Sequence, residues 1–277
     1  MEMKVYDCFA YFDEDMLLDM RLNILYPHVD FFVIVEAKKT FTGISKPLNF
    51  DLQKFPEFKD KIRYIVFDGP MDSDDPWVNE AQNKNAVMDG LFDADPDDLV
   101  LFSDVDEIPN PKVINEYNPF YLCARLDQKL FNYQLNTLVL NSDGKPREWQ
   151  FAKITTYKHL VHFFKSPFNL RNYKKRRTVS GLVENLIRKT RRQTILNGGW
   201  HFSWVMKPDR IIEKMRNISH TDMLRPEFEH LEHIKTVIAE GKDIWKRERL
   251  MRRVPFDHDN LPEYLVNNKE KYVNFLT

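Results

Sequence analysis

The run Leu99-Val100-Leu101-Phe102-Ser103-Asp104-Val105-Asp106-Glu107-Ile108-Pro109 constrains this chain more than any other stretch. Four apolar residues without alternation describe a strand covered on both faces, as in the interior of a parallel sheet. Asp104, Asp106 and Glu107 follow within one turn, and Pro109 and Pro111 are expected to stop the run from continuing as regular structure. Acids at the carboxyl end of a buried strand are poor core material, yet ligands of open α/β sheets bind at such ends. Asp-x-Asp brings two carboxylates close enough to share a hard divalent cation, Mn2+ or Mg2+, which keeps positions open for substrate phosphates. The chemistry points to the metal-diphosphate site of a sugar-nucleotide transferase; a solvated acidic loop is the bland use of the same residues.

The chain leading to this run reads as alternating strands and helices. Lys4 to Tyr11 is a first strand, and a helix from Asp13 buries Met16, Leu17, Met20, Ile24 and Leu25. Asp30 to Glu36 and Lys61 to Asp68 are further strands. Asp75-Pro76 starts a second helix, with Trp77, Ala81, Val87, Met88, Leu91 and Phe92 as its apolar, core-facing stripe. This order fits an α/β class with right-handed crossovers. Beyond Pro111, the segments 120–126, 131–140 and 151–157 read as a β-rich, antiparallel addition, and residues 208–277 as helices whose first turns begin at Pro208, Pro226 and Pro262. The expected arrangement is a single domain: 1–111 as the nucleotide-sugar half, 112–277 as the acceptor half.

Composition excludes some classes. A formal net charge of -1 gives no reason to expect nucleic-acid binding. No stretch resembles a signal peptide or approaches the roughly 20 apolar residues of a membrane span, so a cytoplasmic location is the simplest expectation. Cys8 and Cys123 lie in apolar runs and read as buried thiols. Residues 171–192 hold nine basic side chains against the single acid Glu184. They are a solvated face, an anion-binding flank, or, more weakly, a peripheral membrane contact.

Several separated motifs resemble glycosyltransferase family 17. They begin at Asp15-Met16-Leu17-Leu18-Asp19-Met20-Arg21 and continue through Val35-Glu36, Thr42-Gly43, Lys46-Pro47-Leu48 and Trp77 with Glu80. They are strongest at 103–109 and at Gly199-Trp200-His201-Phe202-Ser203-Trp204, and end at Leu261-Pro262-Glu263-Tyr264-Leu265. The resemblance implies a GT-A-like Rossmann-type mixed sheet, a UDP-sugar donor (UDP-N-acetylglucosamine in the known case), a divalent cation, inversion at the anomeric carbon, and a glycan or glycolipid acceptor.

Within that frame Asp106 is the better metal ligand, and Asp104 contacts the metal or the ribose. Glu107 is the nearest candidate for the base that takes the acceptor proton, with a loop salt bridge as its alternative use. His201, after the flexible pair Gly198-Gly199, either completes the metal shell or acts on the acceptor; a satisfied core histidine is its alternative. His220 is a weaker candidate of the same kind. Trp200 and Trp204 are offered as stacking surfaces for sugars. Arg21 is a diphosphate contact or a helix-surface partner of Asp19 or Glu14. Glu36 is a donor contact or a partner of Lys38 or Lys39, and Glu80 a donor or acceptor contact. Three rivals remain: a metal-dependent phosphohydrolase, for which the acid pair comes too late in the chain; a nucleotidyltransferase, for which an early glycine-rich loop is lacking; and a non-catalytic glycan-binding module.

Overall fold

A computed structural model describes residues 2–173, 186–187 and 189–276. Its strands are β1 Val5–Ala10, β2 Phe31–Ala37, β3 Ile62–Phe67, β4 Leu99–Phe102, β5 Glu107–Pro109, β6 Cys123–Asn132, β7 Thr137–Leu140, β8 Glu148–Trp149, β9 Lys153–Thr156, β10 Arg192–Ser203 and β11 Leu250–Arg253. Among the described residues they join one mixed sheet, with the main order β11-β7-β6-β9-β4-β1-β2-β3. The block β4-β1-β2-β3 is parallel, as the early strand–helix alternation requires, and β9 adds antiparallel pairing to β4 and β6.

The unalternating strands are apolar throughout because both faces are covered. Val5 and Phe9 of β1, Phe32 and Ile34 of β2, and Leu99 and Leu101 of β4 face one core, with Leu17, Leu18 and Leu22 of helix α1 (Asp15–Leu25). Tyr6 and Cys8, Val33 and Val35, and Val100 and Phe102 face the other, with Val87, Leu91 and Leu160. Each such side chain contributes about 1.5–3 kcal/mol when fully buried. Helices thus cover both faces, as the α/β class demands. A third cluster, around Ile211, Met215, Ile234 and Trp245, unites helices Pro208–Asn217 and Leu231–Ala239. Cys8 and Cys123 are buried free thiols, and among the described residues no helix is long and apolar enough to cross a membrane.

Three expectations need correction. Glu107-Ile108-Pro109 is regular structure after all: β5 pairs antiparallel with β10, where an edge position tolerates a proline that cannot donate. The helix from Pro76 is α-helical only to Asn85 (α2) and continues as a 3-10 turn over Ala86–Leu91. Its buried positions are Asn79, Glu80, Asn83 and Lys84, whereas Trp77 is 41% exposed rather than in the core. Finally, β11 lies inside the expected all-helical tail, and Pro262 caps Glu263–Asn267 from outside instead of opening its first turn.

Candidate active site

The carboxyl ends of β1, β2 and β4 open into a cavity of about 760 Å³, walled by Tyr11, Phe12, Ala37 and Asp104–Glu107 among others. In the order β4-β1-β2 the chain leaves β1 in opposite directions, so the cavity lies outside a topological switch point.

The acid turn is shaped from below by Arg21. This fully buried guanidinium meets Asp7 at 2.8 and 2.6 Å, donates to Ser103 Oγ at 2.8 Å and to the carbonyl of Asp104 at 2.7 Å, and reaches those of Val105 and Glu107 at 3.4 and 3.3 Å. All five of its donors are committed. Arg21 therefore does not face the diphosphate, nor does it pair with Asp19 or Glu14: it sits behind the turn and holds its carbonyls inward. Glu36 is likewise interior. Its carboxylate accepts from the amides of Asn49 and Phe50 at 2.8 and 3.0 Å and from Tyr64 at 2.9 Å, and it pairs with Lys46 rather than Lys38 or Lys39. It is Lys46 that reaches the cavity wall.

On the wall, each acid meets cations brought from elsewhere. Asp104 is held by Lys84 and Arg171, both at 2.6 Å, and Lys84 also holds Glu80 at 2.6 Å. Burial disfavours the Asp104 carboxylate, but Arg171 and Lys84 outweigh it and lower its pKa. Glu107 has no capacity left. Its Oε1 accepts from Trp149 Nε1 at 2.5 Å and Arg171 Nη2 at 2.7 Å, and its Oε2 from Arg171 Nη1 at 2.7 Å and the Asp104 amide at 3.2 Å. A carboxylate offers about four lone-pair positions, and four donors occupy them, so this geometry removes Glu107 as the base.

Asp106 is the least committed acid. Lys214 stands 3.4 Å from its Oδ2 and His201 Nε2 3.6 Å from its Oδ1, longer than ordinary N–H···O bonds. Burial opposes its ionisation, but Lys214 and His201 prevail and hold the carboxyl far below the usual range. His201, at register with Glu107 across β5 and β10, packs 4.5 Å from the Trp149 ring, and its buried Nδ1 has no hydrogen-bond partner. Of the two tryptophans offered for stacking, Trp204 lines the cavity, whereas Trp200 turns away and donates to the carbonyl of Asn260 at 2.9 Å. Trp77 and the exposed His220 meet edge-on at 4.8 Å on the rim. Glu80 is on the wall too, bound by Ser219 at 2.5 Å.

Residues 1–277 match the sequence profile of glycosyltransferase family 17. The chain belongs to that family. Its relatives include the β-1,4-mannosyl-glycoprotein 4-β-N-acetylglucosaminyltransferases of Rattus norvegicus and Homo sapiens, each 25% identical over 287 residues. Those alignments take in 92% of this chain but 51% and 52% of the relatives, so the chain spans about half their length. Among solved structures, S. aureus TarS 1-349 is 14% identical with a TM-score of 0.39, covering 84% of this chain and 69% of that one, a likeness too distant to bear on the site.

In this family 17 member the basic stretch is split by its placement. Arg171 ends the helix Pro167–Arg171 and enters the site. Lys174, Lys175, Arg176, Arg177 and Arg188, with the suggested membrane contact, lie outside the described residues. Lys84, Lys214 and Trp149 are site residues that the motifs did not single out. Only Lys84 left a local signal, as one of four polar residues on the buried side of α2.

The donor set can be tested against a divalent cation. Among the described residues no three His, Cys, Asp or Glu side chains assemble a metal cage. A hard cation that keeps substrate phosphates as ligands needs only one or two carboxylates. Asp106 Oδ1 and His201 Nε2, 3.6 Å apart, can touch one cation between them. Asp104, occupied on both oxygens, is not disposed to join them.

Proposed function

We propose that the cavity is the active site of a metal-dependent, inverting glycosyltransferase. It takes a sugar, N-acetylglucosamine by analogy with the relatives' names, from a UDP-sugar to a hydroxyl of a glycan or glycolipid acceptor. The observation that supports this most is the meeting of Asp104, Asp106, Lys84, Arg171 and Lys214 at the open ends of parallel strands.

Direct displacement at the anomeric carbon requires that charge growing on the departing diphosphate be met by fixed positive groups. Arg171, Lys84 and Lys214 supply these; Asp104 and Glu107 keep the first two aimed before the donor arrives. Asp106, with His201 beside it, would hold a divalent cation, which when bound would lend Lewis-acid stabilisation to the phosphate oxygens. The hydroxyl proton needs a group with an open lone pair. Glu107 is saturated and Asp106 is held far below the usual carboxylate range, so both are poor bases, which leaves His201 as the candidate on this wall. Trp204 offers an apolar face to a sugar ring.

Incubation with UDP-N-acetylglucosamine, UDP-glucose and UDP-galactose, with and without Mn2+, tests the reading. The expected result is Mn2+-dependent release of UDP, fastest with the N-acetylated donor, and a product of inverted anomeric configuration when an acceptor is supplied. Release from none of the three, with glycan binding intact, would instead make this a binding module.

A further inference from the structure

A second group of cations on the cavity is not needed by the acids that follow β4. Arg247 and Arg249 line the main cavity and also a neighbouring hollow of about 630 Å³, so they form the wall between the two. They share one carboxylate. Asp243, 2% exposed, accepts from Arg247 at 2.9 and 2.8 Å and lies 3.3 Å from Arg249. Among the described residues it is the one carboxylate within ion-pairing distance of either. Arg147 is near enough to repel Arg249, and it bonds the Asn141 amide oxygen at 3.1 Å while its Nε is buried without a partner. Burial, then Arg247, with a smaller effect of Arg147, outweigh Asp243 and bring the Arg249 pKa down to about 10.

The segment presenting these arginines is rigidly built. Tyr133 donates its hydroxyl to the carbonyl of Lys242 at 3.0 Å and accepts from the Ile244 amide at 2.9 Å, while Asp243 caps the Trp245 amide at 2.9 Å. Trp245 also lines the cavity, edge-on to Trp204 at 6.2 Å. Aromatic faces beside under-neutralised guanidinium groups suit a sugar bearing an oxyanion. The arginines lead directly into β11, at one end of the main strand order and four positions from β4, whose carboxyl end carries the acid turn.

We infer that Arg247 and Arg249, backed by Arg147, form an oxyanion subsite at the acceptor end of the cavity, and that the acceptor carries a phosphate or carboxylate near its reacting sugar. This names the acceptor class for the reading above and rests on it.

The test is calorimetric titration of the full chain, saturated with UDP and Mn2+, with inorganic phosphate, glucose 6-phosphate, glucuronic acid and glucose. Phosphate is expected to bind at one site, and Arg249→Gln to weaken it about tenfold, with Arg249→Lys retaining most of the affinity. Both variants should bind UDP within about twofold of the unaltered chain. Tighter binding of glucose 6-phosphate or of glucuronic acid, each relative to glucose, tells phosphate from carboxylate. Absence of phosphate binding overturns the inference. So does an equal loss of UDP affinity in Arg249→Gln, since the arginines would then serve the donor. If the unaltered chain fails to bind UDP, the functional reading has failed by itself. Phosphate titration of the free chain and of Arg249→Gln then still decides the subsite.

Discussion

Replacing Arg171 with alanine is expected to destabilise the fold by about 3–5 kcal/mol and to remove donor turnover altogether. Its guanidinium carries three short contacts at once, two to Glu107 at 2.7 Å and one to Asp104 at 2.6 Å, with 8% of the side chain exposed. Without it, Glu107 keeps a buried charge whose remaining donors are Trp149 and one amide, and breaking such a pair from one side costs several kcal/mol. Arg171→Lys separates the two roles. An ammonium keeps the charge but cannot reproduce a planar fork across two carboxylates. The lysine variant should therefore fold, yet lose about a hundredfold in turnover, equivalent to about 2.7 kcal/mol. Urea denaturation beside UDP-release assays reads both quantities. An alanine variant as stable as the parent would show that Asp104 and Glu107 do not depend on Arg171.

Gly199→Ala should be comparably damaging for a different reason. Gly199 has φ of +141°, and a Cβ there would lie 2.2 Å from the Ile108 carbonyl oxygen and 2.9 Å from the Asn110 amide. Neither neighbour is the flexible end of a side chain; both belong to the backbone that pairs β5 with β10. Relief would mean separating these strands, taking Glu107 and His201 with them. A loss of about 4 kcal/mol or more is expected. Gly144→Ala is the control. It too has positive φ, at +79°, but a Cβ there meets nothing within 4 Å, and about 1–2 kcal/mol should suffice. Equal melting temperatures for the two variants would contradict this account of the β5–β10 junction.

The parallel block was legible because its signal is local. Leu99 to Phe102 is apolar at every position, and the two cores divide it residue by residue. Glu107-Ile108-Pro109 was not, because its pairing depends on β10, about ninety residues later, and on a backbone angle that only glycine adopts freely. The acids of the site were visible for the same local reason. Their partners were not: Arg171 lies 67 residues from Asp104, and Lys214 lies 108 from Asp106. Nothing near Arg21 in sequence reveals that Asp7, fourteen residues earlier, draws it inside. Helical spacing puts Trp77 with Ala81 on a core-facing stripe, whereas α2 turns its polar side inward toward Asp104 and Ser219.

In the proposed mechanism Asp106 holds a cation for a nucleoside diphosphate inside this cavity. Thermal unfolding of the chain and of Asp106→Asn, each with UDP, with Mn2+ and with both, tests it most directly. At about a hundredfold excess over the dissociation constant, a ligand of the folded state adds about 2.7 kcal/mol, which for a chain of this size raises the melting temperature by several degrees. The expected result is a rise with UDP and Mn2+ together that exceeds either alone in the parent and vanishes in Asp106→Asn. A rise of the same size in the variant, or none in the parent, would contradict it.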